Sequence, residues 1–110
     1  MPTNYKILGQ TDPIANTETL HYSVPSATSA VIKSINITNT SAVADTFSIA
    51  IVPIAATAAT TSNYIAYNSS IPGNSTVTIK NPYTLNYPSG VRVLSTNGTC
   101  TFTTFGTEIS

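Results

Sequence analysis

Along most of this sequence, apolar side chains take every second position and hydroxyl or amide side chains fill the positions between them. A period of two fits an extended strand, whose successive side chains point to opposite faces, and cannot place an apolar stripe along one side of a helix. The clearest instance is 45–52, where Phe47, Ile49 and Ile51 share one face and Thr46, Ser48 and Ala50 the other. Residues 30–40 repeat the pattern, with Val31, Ile35 and Ile37 on one face and Asn36 and Thr38 on the other. Lys33 interrupts that apolar row, and its stem is expected to snorkel the charge out at the sheet margin. The residues that alternate are Val, Ile, Thr, Tyr and Phe, which suit a pleated, half-buried surface.

Applied along the chain, this pattern predicts strands at about 5–8, 20–24, 30–40, 45–52, 63–69, 75–80, 91–94 and 99–105. Pro25, Pro53, Pro82 and Pro88 mark strand ends, because proline cannot donate to a central ladder. Three hairpins are expected. The first joins 30–40 to 45–52 through a short link that is polar at its start. The second turns at Ile71-Pro72-Gly73-Asn74, where Gly73 would supply the positive φ of a type II turn. The third turns at Asn97-Gly98, the preferred pair of a type I′ turn. Residues 54–62, mostly Ala and Thr, read as a loop with few large side chains to pack. About eight short strands without helices imply an all-β fold, a single antiparallel β-sandwich with Ig-like or jelly-roll-like connectivity, spanning 1–110 as one domain.

The 41% hydrophobic content can supply a core, while charged residues are only 7% against a usual share of about 25%. Thr, Ser and Asn fill the difference at about 40% of the chain. Net charge is zero, and Lys6, Lys33, Lys80 and Arg92 are scattered. Nucleic-acid binding draws on clustered Lys and Arg, so direct contact with nucleic acid is not expected. Little charge also means little repulsion between copies, which suits a subunit of an assembly. With Cys100 the only cysteine, no intrachain disulfide can form. The N-terminal residues lack the apolar core of a signal peptide, and no stretch reaches about 18 apolar residues, so synthesis in a cytosol and no membrane contact are expected. Five Asn-x-Ser/Thr sequons begin at Asn36, Asn39, Asn68, Asn74 and Asn97, as chance provides in a chain of this composition.

Catalytic chemistry finds little to stand on. His21 is the only histidine, no Gly-x-Ser-x-Gly elbow occurs, and Asp12, Glu18, Asp45 and Glu108 are scattered. One His and one Cys make no recognisable zinc site, and the five glycines form no phosphate loop. The expectation is a non-enzymatic protein with no catalytic or metal-binding residues and no cofactor, in which His21 is structural or exposed and Cys100 is a small buried residue. Tyr64, Tyr67, Tyr83 and Tyr87 offer apolar area with a polar tip, suited to a core, to a protein interface or to stacking on sugars.

The strings Asn4-Tyr5-Lys6-Ile7-Leu8-Gly9-Gln10 and Leu20-His21-Tyr22-Ser23-Val24-Pro25 resemble a family of small structural proteins of tailed-bacteriophage virions. The likeness continues through Ile35-Asn36-Ile37-Thr38-Asn39, Phe47-Ser48-Ile49-Ala50, Tyr64-Ile65-Ala66-Tyr67 and Phe105-Gly106-Thr107-Glu108-Ile109. One departure is the polar link Asn68-Ser69-Ser70, where a more acidic turn would be expected. The resemblance implies a virion component similar in size and class to capsid cement or decoration proteins, which brace the major capsid protein lattice. The implied partners are the major capsid protein, copies of the chain itself and other virion proteins, with assembly in the host cytoplasm. A neck, baseplate or tail-fibre component and a carbohydrate-binding module for host-surface glycans are the alternatives. An extended N-terminal arm (about 1–11) and a C-terminal tail (about 105–110) would reach neighbouring subunits. The residues expected at an interface are Tyr5, Ile7, Leu8, Tyr64, Tyr67, Phe105 and Ile109.

Overall fold

A computed structural model describes residues 3–80 and 82–109, with the backbone alone for residues 3–6 and 61. The described residues form nine strands and one 3₁₀ turn, Thr61–Asn63. In chain order the strands are β1 (Thr3–Thr11), β2 (Thr19–Ser23), β3 (Ser29–Asn39), β4 (Asp45–Val52), β5 (Tyr64–Ile71), β6 (Thr76–Ile79), β7 (Tyr83–Asn86), β8 (Gly90–Ser95) and β9 (Cys100–Ile109). Sheet 1 runs β1-β9-β3, with β6 and β7 sharing the far side of β3, and sheet 2 runs β2-β8-β4-β5. All pairings are antiparallel. The fold is the expected all-β sandwich. Every connection crosses between sheets except β4–β5 and β6–β7, and β6 and β7 together fill one strand position, so the order is that of a jelly roll. The eight expected strands all form. The ninth, β7, sits between Pro82 and Pro88, in a stretch read only as a place where strands end.

None of the three expected hairpins exists, because each predicted pair is split between the sheets. Gly73 has no positive φ; Asn74 does, at 55°. Glycine is needed at 73 for space, since a Cβ there would lie 2.1 Å from the Ala42 carbonyl oxygen. The β5–β6 and β3–β4 connections are thereby nested, and the Asn74 amide donates to the Ser41 carbonyl at 2.8 Å. Buried Asn39 joins them, donating to the Val43, Ile71 and Pro72 carbonyls and accepting from the Ser41 amide. At Asn97-Gly98 only Gly98 has positive φ, whereas a type I′ turn needs it at both positions. The true hairpin is β4–β5, closed by the long Ala/Thr loop.

Three bulges explain where simple alternation misplaces side chains. In β3 the register slips at Lys33, leaving Lys33 and Ser34 side by side on the outer face. Ala30 and Ile32 are therefore buried ahead of the slip and Ile35 and Ile37 after it, while Val31 points outward, contrary to its expected place beside Ile35. A slip at Leu8 does the same in β1, and one at His21 lets both His21 and Tyr22 turn inward from β2. Between the sheets Phe47, Ile49, Val91, Val93, Ile35, Ile37 and Phe102 interdigitate, with the Phe47 and Phe102 rings edge to face at 6.3 Å. Burying Phe102 completely stabilises the fold by about 2–3 kcal/mol. Residues 3–11, expected as an arm, pair with 102–109 as β1, and 105–109, expected as a tail, lie between β1 and β3.

Candidate interaction surface

The side chains able to do chemistry are tied into the architecture. His21 lies between the sheets, with Nδ1 2.7 Å from the Thr11 hydroxyl and Nε2 2.6 Å from the Thr104 hydroxyl. A neutral ring donates once and accepts once, and a hydroxyl can fill either complementary role. Burial lowers the His21 pKa from 6.5 to about 4. Next to it, the Tyr22 hydroxyl donates to Glu108 Oε2 at 2.5 Å, joining β2 to β9 across the sandwich. Burial first, and then the Glu108 carboxylate, push the Tyr22 pKa upward.

Asp45, which sequence reasoning placed blandly at a strand start, is the most heavily bonded carboxylate described. It accepts from the Thr46 amide (2.7 Å), the Ser95 hydroxyl (2.6 Å), the Asn97 amide (2.9 Å) and the Thr99 hydroxyl (3.0 Å). Burial raises its pKa, but these donors together outweigh burial and hold it at about 2. They shape the β8–β9 crossover that the Asn97-Gly98 pair alone suggested as a hairpin. Cys100, buried beside it, has its thiol pushed up to about 11, first by burial. Among the described residues, no three of His, Cys, Asp and Glu come together as metal ligands would.

On the outer face of sheet 2, Arg92 and Glu18 pin the Ala/Thr loop. Arg92 donates from Nε and Nη2 to the Ala55 carbonyl and forms an ion pair with Glu18 at 3.4 Å, while Glu18 accepts from the Ala59 amide. The loop that seemed too poor in large side chains to pack is thus held by polar bonds. Beneath and beside it are two shallow grooves, of about 330 Å³ (Val52, Ile54, Ala58, Asn63) and about 380 Å³ (Leu20, Ile54, Tyr87, Pro88).

The expected interface residues fall into two separate groups. Tyr64 and Tyr67 lie on edge strand β5 of sheet 2, their rings edge to face at 4.8 Å; Tyr64 is half-buried and Tyr67 is 62% exposed. Burial, then Glu18 and Tyr67, raise the Tyr64 pKa. In sheet 1, Ile7 pairs with Phe105, and Ile109 lies at the far end of the same β1–β9 ladder. Ile7 is 50% exposed, Phe105 and Ile109 are half-buried, and Leu8 packs against the core instead of offering itself outward. Tyr5 pairs with Thr107 by backbone register, and its side chain lies outside the described residues.

The register lays out the rest of that outer face in rows. Ile7, Phe105 and Ser34 form one, Gln10, Thr103, Asn36 and Thr78 the next, and Thr101, Thr38 and Thr76 the last. Thr78 donates to Asn36 at 3.0 Å, and the Thr38 and Thr76 hydroxyls bond at 3.2 Å. Sequence reasoning missed this threonine face, because only the pairing of β9, β3 and β6 aligns its rows. Compared with family models, curated proteins and solved structures, the chain finds no match.

Proposed function

We propose that this chain is a non-enzymatic structural subunit of a tailed-phage virion, a capsid cement or decoration protein that braces the major capsid protein lattice. The observation that carries the reading is the use made of the reactive side chains. His21, Asp45, Glu18, Arg92, Cys100 and Glu108 all bond to other strands or loops, so polar chemistry here serves architecture. What remains outside is a broad sheet face of hydroxyl, amide and apolar groups. Jelly rolls recur in capsid domains, an analogy of fold that agrees with the family resemblance of the sequence. Many copies on a symmetric shell make weak contacts add up through avidity.

The test is sedimentation of the purified chain with expanded shells that lack it. Saturable uptake in the hundreds of copies is expected. No uptake, together with absence from purified virions by mass spectrometry, would overturn the reading. A copy number matching one ring, about six or twelve, would move the protein to the neck or tail.

A further inference from the structure

We infer that the outer face of sheet 1 is the docking face, and that it takes an acidic surface of a different protein, with carboxylates meeting Lys33 and Lys80 around an apolar patch on Ile7, Val31 and Phe105. This rests on the virion reading and deepens it by naming the face and the chemistry of the partner.

Three observations carry it. The first is that the two sheets differ in cover. Around Arg92 the outer face of sheet 2 is covered by the chain's own 53–63 loop, which Arg92 and Glu18 hold down, and Ala50, paired with Arg92, is 1% exposed. Among the described residues nothing comparable crosses the outer face of sheet 1. There Ile7 is half exposed, and Val31 and Phe105 are incompletely buried.

The second is charge. The Lys33 bulge turns that lysine to the outer face beside Ser34, and Lys80 continues the outward alternation of Thr76 and Thr78. Both lysines are exposed, and no acid stands beside them: Glu108 pairs with core residue Ala30 and so points inward, and Asp12, one residue past β1, lies with Gln10, Thr101 and Thr103 at the other end of the face. The lysine end of the face therefore complements a negative surface.

The third is the chain's own supply of acids, which makes a second copy the poorer match to this face. Of four acidic residues, Asp45 is buried, Glu18 is paired with Arg92, and Glu108 accepts from Tyr22. Asp12 remains as the exposed acid, and one carboxylate cannot answer two lysines. The partner must bring its own acids. The area is adequate: four strand positions about 4.8 Å apart and some ten residues long project roughly 600 Å², close to the ~800 Å² per partner of a standard interface.

The experiment measures binding of the purified full chain to expanded shells at low and high salt. It compares the wild type with Lys33→Glu/Lys80→Glu, with Ile7→Asp, and with Tyr67→Ser on the opposite sheet, each first checked for an unchanged thermal midpoint. The double charge reversal and Ile7→Asp are expected to weaken binding about tenfold or more, Tyr67→Ser to leave it unchanged, and salt to weaken the wild type more than the double variant. If the wild type binds but the double reversal and Ile7→Asp bind equally well, or Tyr67→Ser abolishes binding, this inference is overturned while the virion reading stands. If the wild type does not bind at all, both fall.

Discussion

At the scale of single residues, two buried titrating groups make the fold sensitive to acid in two separable steps. The His21 pKa is lowered to about 4 from 6.5. Between those values the unfolded chain takes up a proton that the folded chain refuses, so stability falls as pH drops from about 6.5 to 4 and levels off below, a loss on the order of 3 kcal/mol. The Asp45 pKa is depressed to about 2 from 3.8, so its contribution is complete above about pH 4 and is lost as pH falls toward 2. Urea denaturation across pH should show both declines. His21→Gln is expected to flatten the upper one and leave the lower in place. Asp45→Asn should weaken the lower and reduce stability at pH 7 by about 2–3 kcal/mol, because an amide cannot accept from all the donors gathered there. An unchanged upper slope in His21→Gln would contradict the buried neutral ring.

At the scale of elements, connections distinguish this fold from the one local signals suggest. Gly73 serves close approach to Ala42, and the positive φ belongs to Asn74. Gly73→Asn is therefore expected to destabilise by about 2 kcal/mol or more through the Cβ clash, and Asn74→Gly to change stability by less than about 1 kcal/mol. Thermal or urea melts check both. A type II turn predicts the reverse at position 73, because asparagine tolerates positive φ. The strands were legible because alternation is a local property that burial enforces, as in Phe47-Ser48-Ile49 and Val91-Arg92-Val93. Their connectivity was not. A link of four or five residues can turn back in the same sheet or step across to the other, and at 39–45 and 95–100 that choice lies with Asn39 and Asp45, whose partners are distant in sequence. Bulges at Leu8, His21 and Lys33 were equally hidden, since a single extra residue reverses the faces without leaving a compositional mark. Of the candidate surface, the Ile7–Phe105 and Tyr64–Tyr67 groups were visible as apolar and aromatic positions, but their separation onto two sheets was not.

At the scale of the whole molecule, the sandwich has one sheet face partly covered by its own loop and one open face, of apolar, hydroxyl and lysine character. That asymmetry, with the reactive groups bound inside, leaves the molecule one face suited to lie against something larger. A rigid jelly roll whose β1 and β9 are held in its own ladder would dock by this surface rather than by exchanging arms. The most direct measurement is a cryo-EM map of the intact particle at a resolution that separates strands. This jelly roll is expected to repeat over the shell, with β1, β9 and β3 against an acidic surface of the major capsid protein and the 53–63 loop turned outward. A shell without it, or a copy seated through the 53–63 loop with the β1-β9-β3 face in solvent, would contradict this reading.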